Sequence, residues 1–198
     1  MLENGFHDVP AGKVTVVVTF LEMTAKPAMK AGALPDGVAF RRVTPDLDWY
    51  RDIFTRVGGM DWLWFGRLML EDSALEAILA DPGVEIYTLT RNGVDLALME
   101  LDFREDGACE LEYFGLASEL IGTGAGRYLI NQAIERAWTK PISRFHLRTC
   151  TIDSPQALGF YQHVGFKPVK QAIEIADDPR LLGVLPETAG PHVPMLRP

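Results

Sequence analysis

The chain has 198 residues, 47% of them hydrophobic, with 19 Lys and Arg against 27 Asp and Glu for a net charge of −8. That length suits one domain with an ample core, and the acidic balance argues against nonspecific binding to nucleic acid or an anionic membrane surface. No apolar run reaches the ~18 residues of a membrane span, and Met1 to Pro10 lacks a basic stretch ahead of an apolar core, so a soluble, cytoplasmic protein is expected.

After a polar start, the β-branched run Val14 to Met23 predicts a strand buried on at least one face. A loop with Pro27, Pro35 and Gly37 leads to a short strand, Val38 to Val43. Thr44-Pro45-Asp46 reads as a helix start, with a capping residue, a proline at the first position and an acidic first turn. The helix is expected to run to about Val57 and to end at Gly58-Gly59. An aromatic cluster, Trp62, Trp64 and Phe65, precedes Arg67, and Ser73 caps a second helix through Ala80.

The pattern then switches to period two. Strands are predicted over Val84 to Thr90, Val94 to Phe103 and Ala108 to Leu116, joined by the Asn92-Gly93 hairpin turn and a turn at 104–107. Such short connections require antiparallel pairing. Leu129, Ile130, Ala133, Ile134, Ala137 and Trp138 recur at helical spacing and mark a helix buried on one face, stopped by Pro141. A strand from Arg144 to Ile152 follows, and a strand–helix–strand unit of this kind pairs in parallel with a right-handed crossover. Asp153-Ser154-Pro155 opens a last helix ending at Gly165, and Phe166 to Ile175 is a final strand. Beyond Asp177 five prolines and no period suggest a surface-draped or disordered tail. Cys109 and Cys150 fall inside predicted strands, lack metal-ligand spacing and read as small buried apolar residues, so no metal is expected.

The most telling stretch lies between the third meander strand and its helix, where Gly122, Gly124 and Gly126 alternate. Backbone N–H groups unobstructed by side chains, at the positive end of a helix dipole, form an anion site suited to phosphate. The dinucleotide fingerprint G-x-G-x-x-G fails on spacing, since its third glycine falls on Arg127 or Leu129. The nucleoside-triphosphate loop fails because no Lys-Ser or Lys-Thr pair follows.

From Val38 to Ile175 the order of elements resembles the GNAT acetyltransferases. Leu116, Ile121, Gly124 and Gly126 match that superfamily's pyrophosphate motif, with Ile121 where Gln or Arg is usual. Ser154, Ala157, Phe160, Tyr161, Gly165 and Phe166 match a second motif about thirty residues on, with Ser154 where Asn is usual. The resemblance implies an α/β GNAT fold, whose mixed central sheet runs from an antiparallel meander into a parallel splayed pair flanked by helices. It also implies a division into an N-terminal extension (1–37), the acetyltransferase domain (38–176) and a proline-rich tail (177–198).

The same resemblance implies acetyl-CoA as co-substrate and direct transfer of its acetyl group to a primary amine, carried on a small molecule or a peptide. The pantetheine arm would pair with the backbone of Gly115, Leu116 and Ala117, and the pyrophosphate would rest on the loop Ile121, Gly122, Thr123, Gly124, Ala125, Gly126 and Arg127, with Ser154 nearby. Tyr161 takes the position of the acid that serves the departing thiolate. A phenol, with a pKa of about 10, stays protonated at neutral pH. Alternation places Glu110 and Glu112 on one strand face as base candidates, Glu110 being the closer match by position, and Glu100 on the neighbouring strand could add to the acidity. His146 and Arg148 share a face of the parallel strand, one of them a further base candidate, while Trp62, Trp64 and Arg67 lie where an acceptor wall is expected. The rival reading is a module that binds acyl-CoA as a sensor without turnover. The N-terminal strand and the tail could supply an interface for a homodimer.

Overall fold

The computed structural model describes residues 3–198; Met1 and Leu2, at the start of the expected 1–37 segment, lie outside the described residues. Among the described residues, eight strands form one sheet: β1 (Lys13–Met23), β2 (Val38–Val43), β3 (Val84–Arg91), β4 (Val94–Asp95), β5 (Ala97–Asp102), β6 (Ala108–Leu116), β7 (Arg144–Cys150) and β8 (Lys167–Asp177). Five α-helices accompany them: α1 (Leu47–Phe54), α2 (Met60–Trp62), α3 (Asp72–Leu79), α4 (Ala125–Ala137) and α5 (Ala157–His163). The strand order is β2-β3-β5-β6-β7-β1-β8, with the two-residue β4 paired to β3.

The meander β2-β3-β5-β6 is antiparallel, and β6 and β7 are parallel. That parallel ladder covers only Ala108 to Glu110 against Arg144 to His146. Beyond it the two strands part, leaving the later half of β6 without a ladder partner on that side. Between β5 and β6 the register steps from Glu100 opposite Tyr113 to Leu101 opposite Leu111, so Glu112 is an extra residue on β6. Such a bulge sharpens local twist and re-aims side chains, commonly beside functional sites. The splay and the bulge fall on the same few residues.

β1 lies between β7 and β8, antiparallel to both. The β-branched run therefore forms an interior strand. Its alternate residues Val14, Val16 and Val18 are buried, where they join Leu63, Ile152, Leu185 and Val193 in one apolar cluster. The opposite face of the sheet carries the main core, where Leu129, Ile130, Ala133 and Ile134 of α4 pack on Leu111, Phe145 and Leu147. A third cluster seats Tyr50, Ile53 and Phe54 of α1 on Ile86 and Leu98.

Several local expectations change. Gly58-Gly59 does not end the first helix: the chain continues as a π-helical turn, Thr55–Gly59, into α2. The reason lies in packing, because a Cβ on Gly58 would stand 2.0 Å from Cδ2 of Trp64. The cap of α1 is Asp46, whose carboxylate accepts from Trp49 N–H at 2.8 Å, and α3 has no side-chain cap. The segment after Asp177 is neither draped nor disordered. Arg180 and Asp178 form a buried ion pair at 2.7 Å, and Arg180 also donates to the carbonyls of Ala189 and Val193. Leu185, Ala189 and Val193 are buried with the Val14–Val18 wall, and Gly190 N–H donates to Met60 O at 2.8 Å. No helix among the described residues is long and apolar enough to cross a membrane.

Candidate active site

A cavity of about 480 Å³ passes through the sheet where β6 and β7 part. On the side of α4 and α5 it is lined by Leu116, Gly122, Gly126, Ser154, Phe160 and Tyr161. On the other side its lining includes Val14, Val16, Val18, Trp62, Trp64, Glu112 and Arg148. Both halves of the expected site thus share one space.

The loop side is built by glycines. Gly122 and Gly124 have φ of 78° and 92°, backbone conformations that favour glycine. Gly124 is the N-cap of α4 and has no side chain to cap that end; the neighbouring Thr123 Oγ1 accepts from Ala125 N–H at 3.4 Å. The helix starts at Ala125, ahead of the first apolar position Leu129, so the first-turn N–H groups belong to the glycine loop itself. A Cβ on Gly122 would meet nothing within 4 Å, and one on Gly126 only Leu116 Cδ1 at 3.8 Å. The loop is folded by its own threonine: Thr123 Oγ1 donates to Leu120 O at 2.7 Å. Ile121 stands 55% exposed at the cavity rim. Open space, a helix dipole and the N–H groups of Gly122, Gly124 and Gly126 fit a pyrophosphate, whereas Ile121 N–H donates to Ser118 O at 3.1 Å, Thr123 N–H to Leu120 O at 3.4 Å and Ala125 N–H to Thr123 Oγ1 at 3.4 Å, which removes those three from the expected cradle. Of the backbone expected to pair with the pantetheine, Gly115 and Leu116 line the cavity. Ala117 has its N–H committed to Leu96 O and its carbonyl to Leu120 N–H.

Tyr161 sits on α5, packed edge-on between Phe114 and Phe166 at ring-centroid distances of 6.2 and 6.1 Å. Its hydroxyl bonds to no described residue. Burial, with a smaller contribution from the Asp153 carboxylate, pushes its pKa up, so it stays protonated. Ser154 borders the same space, its carbonyl accepting from Ala157 N–H at 2.8 Å in the turn that opens α5.

The carboxylates divide by position. Glu112 lines the cavity and accepts from Arg148 Nη2 at 2.8 Å. Glu110 lies one step toward the closed end of the splay, 3.7 Å from Arg148 Nε. Burial and the adjacent Glu112 carboxylate push the Glu110 pKa up to about 7, while Arg148 opposes the rise. Glu100 is completely buried away from the cavity, held by Tyr50 and Arg67. Arg67 also lies behind the wall, its guanidinium 5.4 Å from the Tyr113 ring centroid and 3.9 Å from Glu112. His146 stands beside Glu105 at the closed end and does not reach the cavity.

Two features escape sequence reasoning. The Val14–Val18 wall belongs to a strand separated from the motifs by some hundred residues, and only its burial was readable. Asp153 reads as a helix cap, yet one carboxylate oxygen accepts from Trp64 Nε1–H at 3.1 Å and the other from Thr149 Oγ1 and Cys150 N–H. It thereby ties the aromatic wall to the end of β7. Gly115 makes room for that wall, since a Cβ there would stand 2.9 Å from Trp64 Cη2. Cys150 also borders the cavity, but burial, with a smaller push from Asp153, raises its thiol to about 12, leaving almost no thiolate at neutral pH.

The family model described as "Acetyltransferase (GNAT) family" matches residues 47–166, more than half of the chain. The chain belongs to the GNAT acetyltransferase family. No curated protein matches its sequence. Among solved structures, a GCN5-related N-acetyltransferase from Sphaerobacter thermophilus superposes with a TM-score of 0.62 at 15% identity, covering 87% of this chain and 53% of its own. The present GNAT chain thus spans about half the length of that relative. A GNAT family acetyltransferase from Elizabethkingia anophelis, solved with acetyl-CoA bound, has a TM-score of 0.53 at 17% identity and covers 69% of this chain and 80% of its own. An aminoglycoside acetyltransferase from an uncultured soil metagenomic sample, in complex with trehalose, has 0.54 at 12%, covering 70% and 94%. At these identities the likeness is one of fold.

Proposed function

We propose that this GNAT protein moves an acetyl group from acetyl-CoA directly to a primary amine, with acetyl-CoA on the glycine-loop side of the sheet and the amine on the Trp62–Trp64 side. One observation carries the reading: Tyr161 and Glu112, an acid and a carboxylate, border one cavity with Gly122 and Gly126. A pyrophosphate on the amides of Gly122, Gly124 and Gly126 and a pantetheine arm along Gly115 and Leu116 would lead the thioester into the gap between β6 and β7.

The chemistry then falls to the chain's own groups. Glu112, two residues from Glu110 on the same strand, accepts the proton that the amine loses as its nitrogen bonds to the thioester carbonyl carbon. Backbone N–H groups on the open edge of β6 stabilise charge on the carbonyl oxygen. Tyr161 donates its hydroxyl to the sulfur as the carbon–sulfur bond breaks, and the phenol recovers its proton from solvent. Because its acidity is weakened by burial, Tyr161 acts first as a hydrogen-bond donor and gives up the proton only to a developed thiolate. The high pKa of the Cys150 thiol favours direct transfer over an acyl-cysteine route.

Release of the CoA thiol in the presence of amines tests this. Tyr161→Phe is expected to lower kcat by about 10²-fold while leaving acetyl-CoA affinity within a factor of about two. Unchanged turnover in that variant would remove Tyr161 from the acid role.

A further inference from the structure

We infer that the acceptor is a monoamine carried on a compact aryl or branched-alkyl body, and this rests on the acetyltransfer reading above. The acceptor side of the cavity is walled by Val14, Val16 and Val18 of β1, Ile152 after β7, and Trp62 and Phe65 around α2. The three valines and Ile152 are buried, so this wall is a formed apolar surface before any ligand arrives. It is backed by Leu185 and Val193 of the C-terminal segment, and it is rigid because β1 is hydrogen-bonded on both edges.

Charge on this side is scarce and mostly spoken for. Glu112 is paired with Arg148. Asp153 is engaged by Trp64, Thr149 and the Cys150 amide. Glu174, on the outer strand β8, is the remaining carboxylate of the lining, and Arg148 is its guanidinium. A polyamine or an aminoglycoside carries several ammonium groups, each of which needs a carboxylate or water when enclosed. An amino acid would bring a carboxylate beside Glu112. One amine at Glu112, with an apolar body against the valines and Trp62, places a single positive charge beside the enclosed carboxylate, leaves Glu174 at its exposed position on β8, and removes apolar surface from water. A space of about 480 Å³ shared with the pantetheine arm limits that body to a compact one.

The test uses the full chain with saturating acetyl-CoA, reading CoA release against phenethylamine, isoamylamine, spermidine, kanamycin and a lysine-containing peptide. Phenethylamine or isoamylamine is expected to lead the others in kcat/KM by about tenfold or more. Val16→Asp is expected to raise KM for those two amines by about tenfold or more, with acetyl-CoA affinity, read by calorimetry, as the measure that the variant is folded. If that variant does not fold, the amine ranking of the unaltered chain still decides. Fastest turnover of spermidine, kanamycin or the peptide would overturn this inference and leave acetyltransfer standing. Turnover of none of the five, with acetyl-CoA bound, would overturn both.

Discussion

Glu110 and Glu112 show how two like residues two apart acquire different surroundings. The bulge and the splay bring both to Arg148, yet only Glu112 borders the cavity, and Glu110, half-buried beside it, is raised to about 7. If the pair is the base, kcat/KM should rise as pH increases through about 7. In Glu110→Gln the limb near 7 should be lost from that position; a limb that stays in place would exclude the pair. Glu112→Gln should cost about 10²-fold in kcat. Stability has the opposite sign. A carboxyl raised above its ordinary 4.5 stabilises the fold while protonated. That contribution is complete below about pH 4.5 and is lost as pH rises through about 7. Glu110→Gln should therefore flatten the decline in melting temperature between pH 5 and 8. Alternation in the sequence was enough to group these two residues. It could not reveal the bulge or Arg148, because each depends on partners distant in the chain. Glu100 shares the same residue type and a neighbouring strand but ends in the core, a difference written only in the positions of Tyr50 and Arg67.

Among elements, the glycine loop with α4 and the α1–α2 turn contrast in how their glycines work. Gly122 and Gly126 leave space open on the cavity side, whereas Gly58 and Gly115 leave space that Trp64 fills. Gly58→Ala is accordingly expected to destabilise by about 1–3 kcal/mol through overpacking, measured by urea denaturation, and to loosen the indole that Asp153 holds. The loop and the Tyr161 helix were readable because their chemistry is local: a run of glycines, a cap, a helical stripe. The first helix was misread at its end for a physical reason. Gly-Gly disfavours a helix in isolation, but here the absent Cβ atoms admit Trp64, and tertiary packing carries the helix onward.

At the scale of the molecule, β1 and the segment after Asp177 form one structure on the Val14–Val18 side of the cavity, although they are far apart in sequence. Asp178 N–H donates to Gly12 O, Gly12 N–H to Leu196 O, and Arg180 gathers the last turns onto its guanidinium. Arg180→Ala would leave Asp178 buried and unpaired, at an expected cost of about 3–5 kcal/mol in denaturant unfolding. Prolines and a missing period concealed this docking, since its hydrogen bonds run to groups distant in sequence. The whole account turns on the glycine loop seating acetyl-CoA. Calorimetric titration of acetyl-CoA tests that most directly, comparing the unaltered chain with Gly126→Val, whose new side chain enters open cavity space. We expect micromolar binding to the unaltered chain, weakened about tenfold or more in the variant at unchanged melting temperature, as loss of close backbone approach to the pyrophosphate requires. Absence of binding at millimolar acetyl-CoA, or equal affinity in the two proteins, would contradict it.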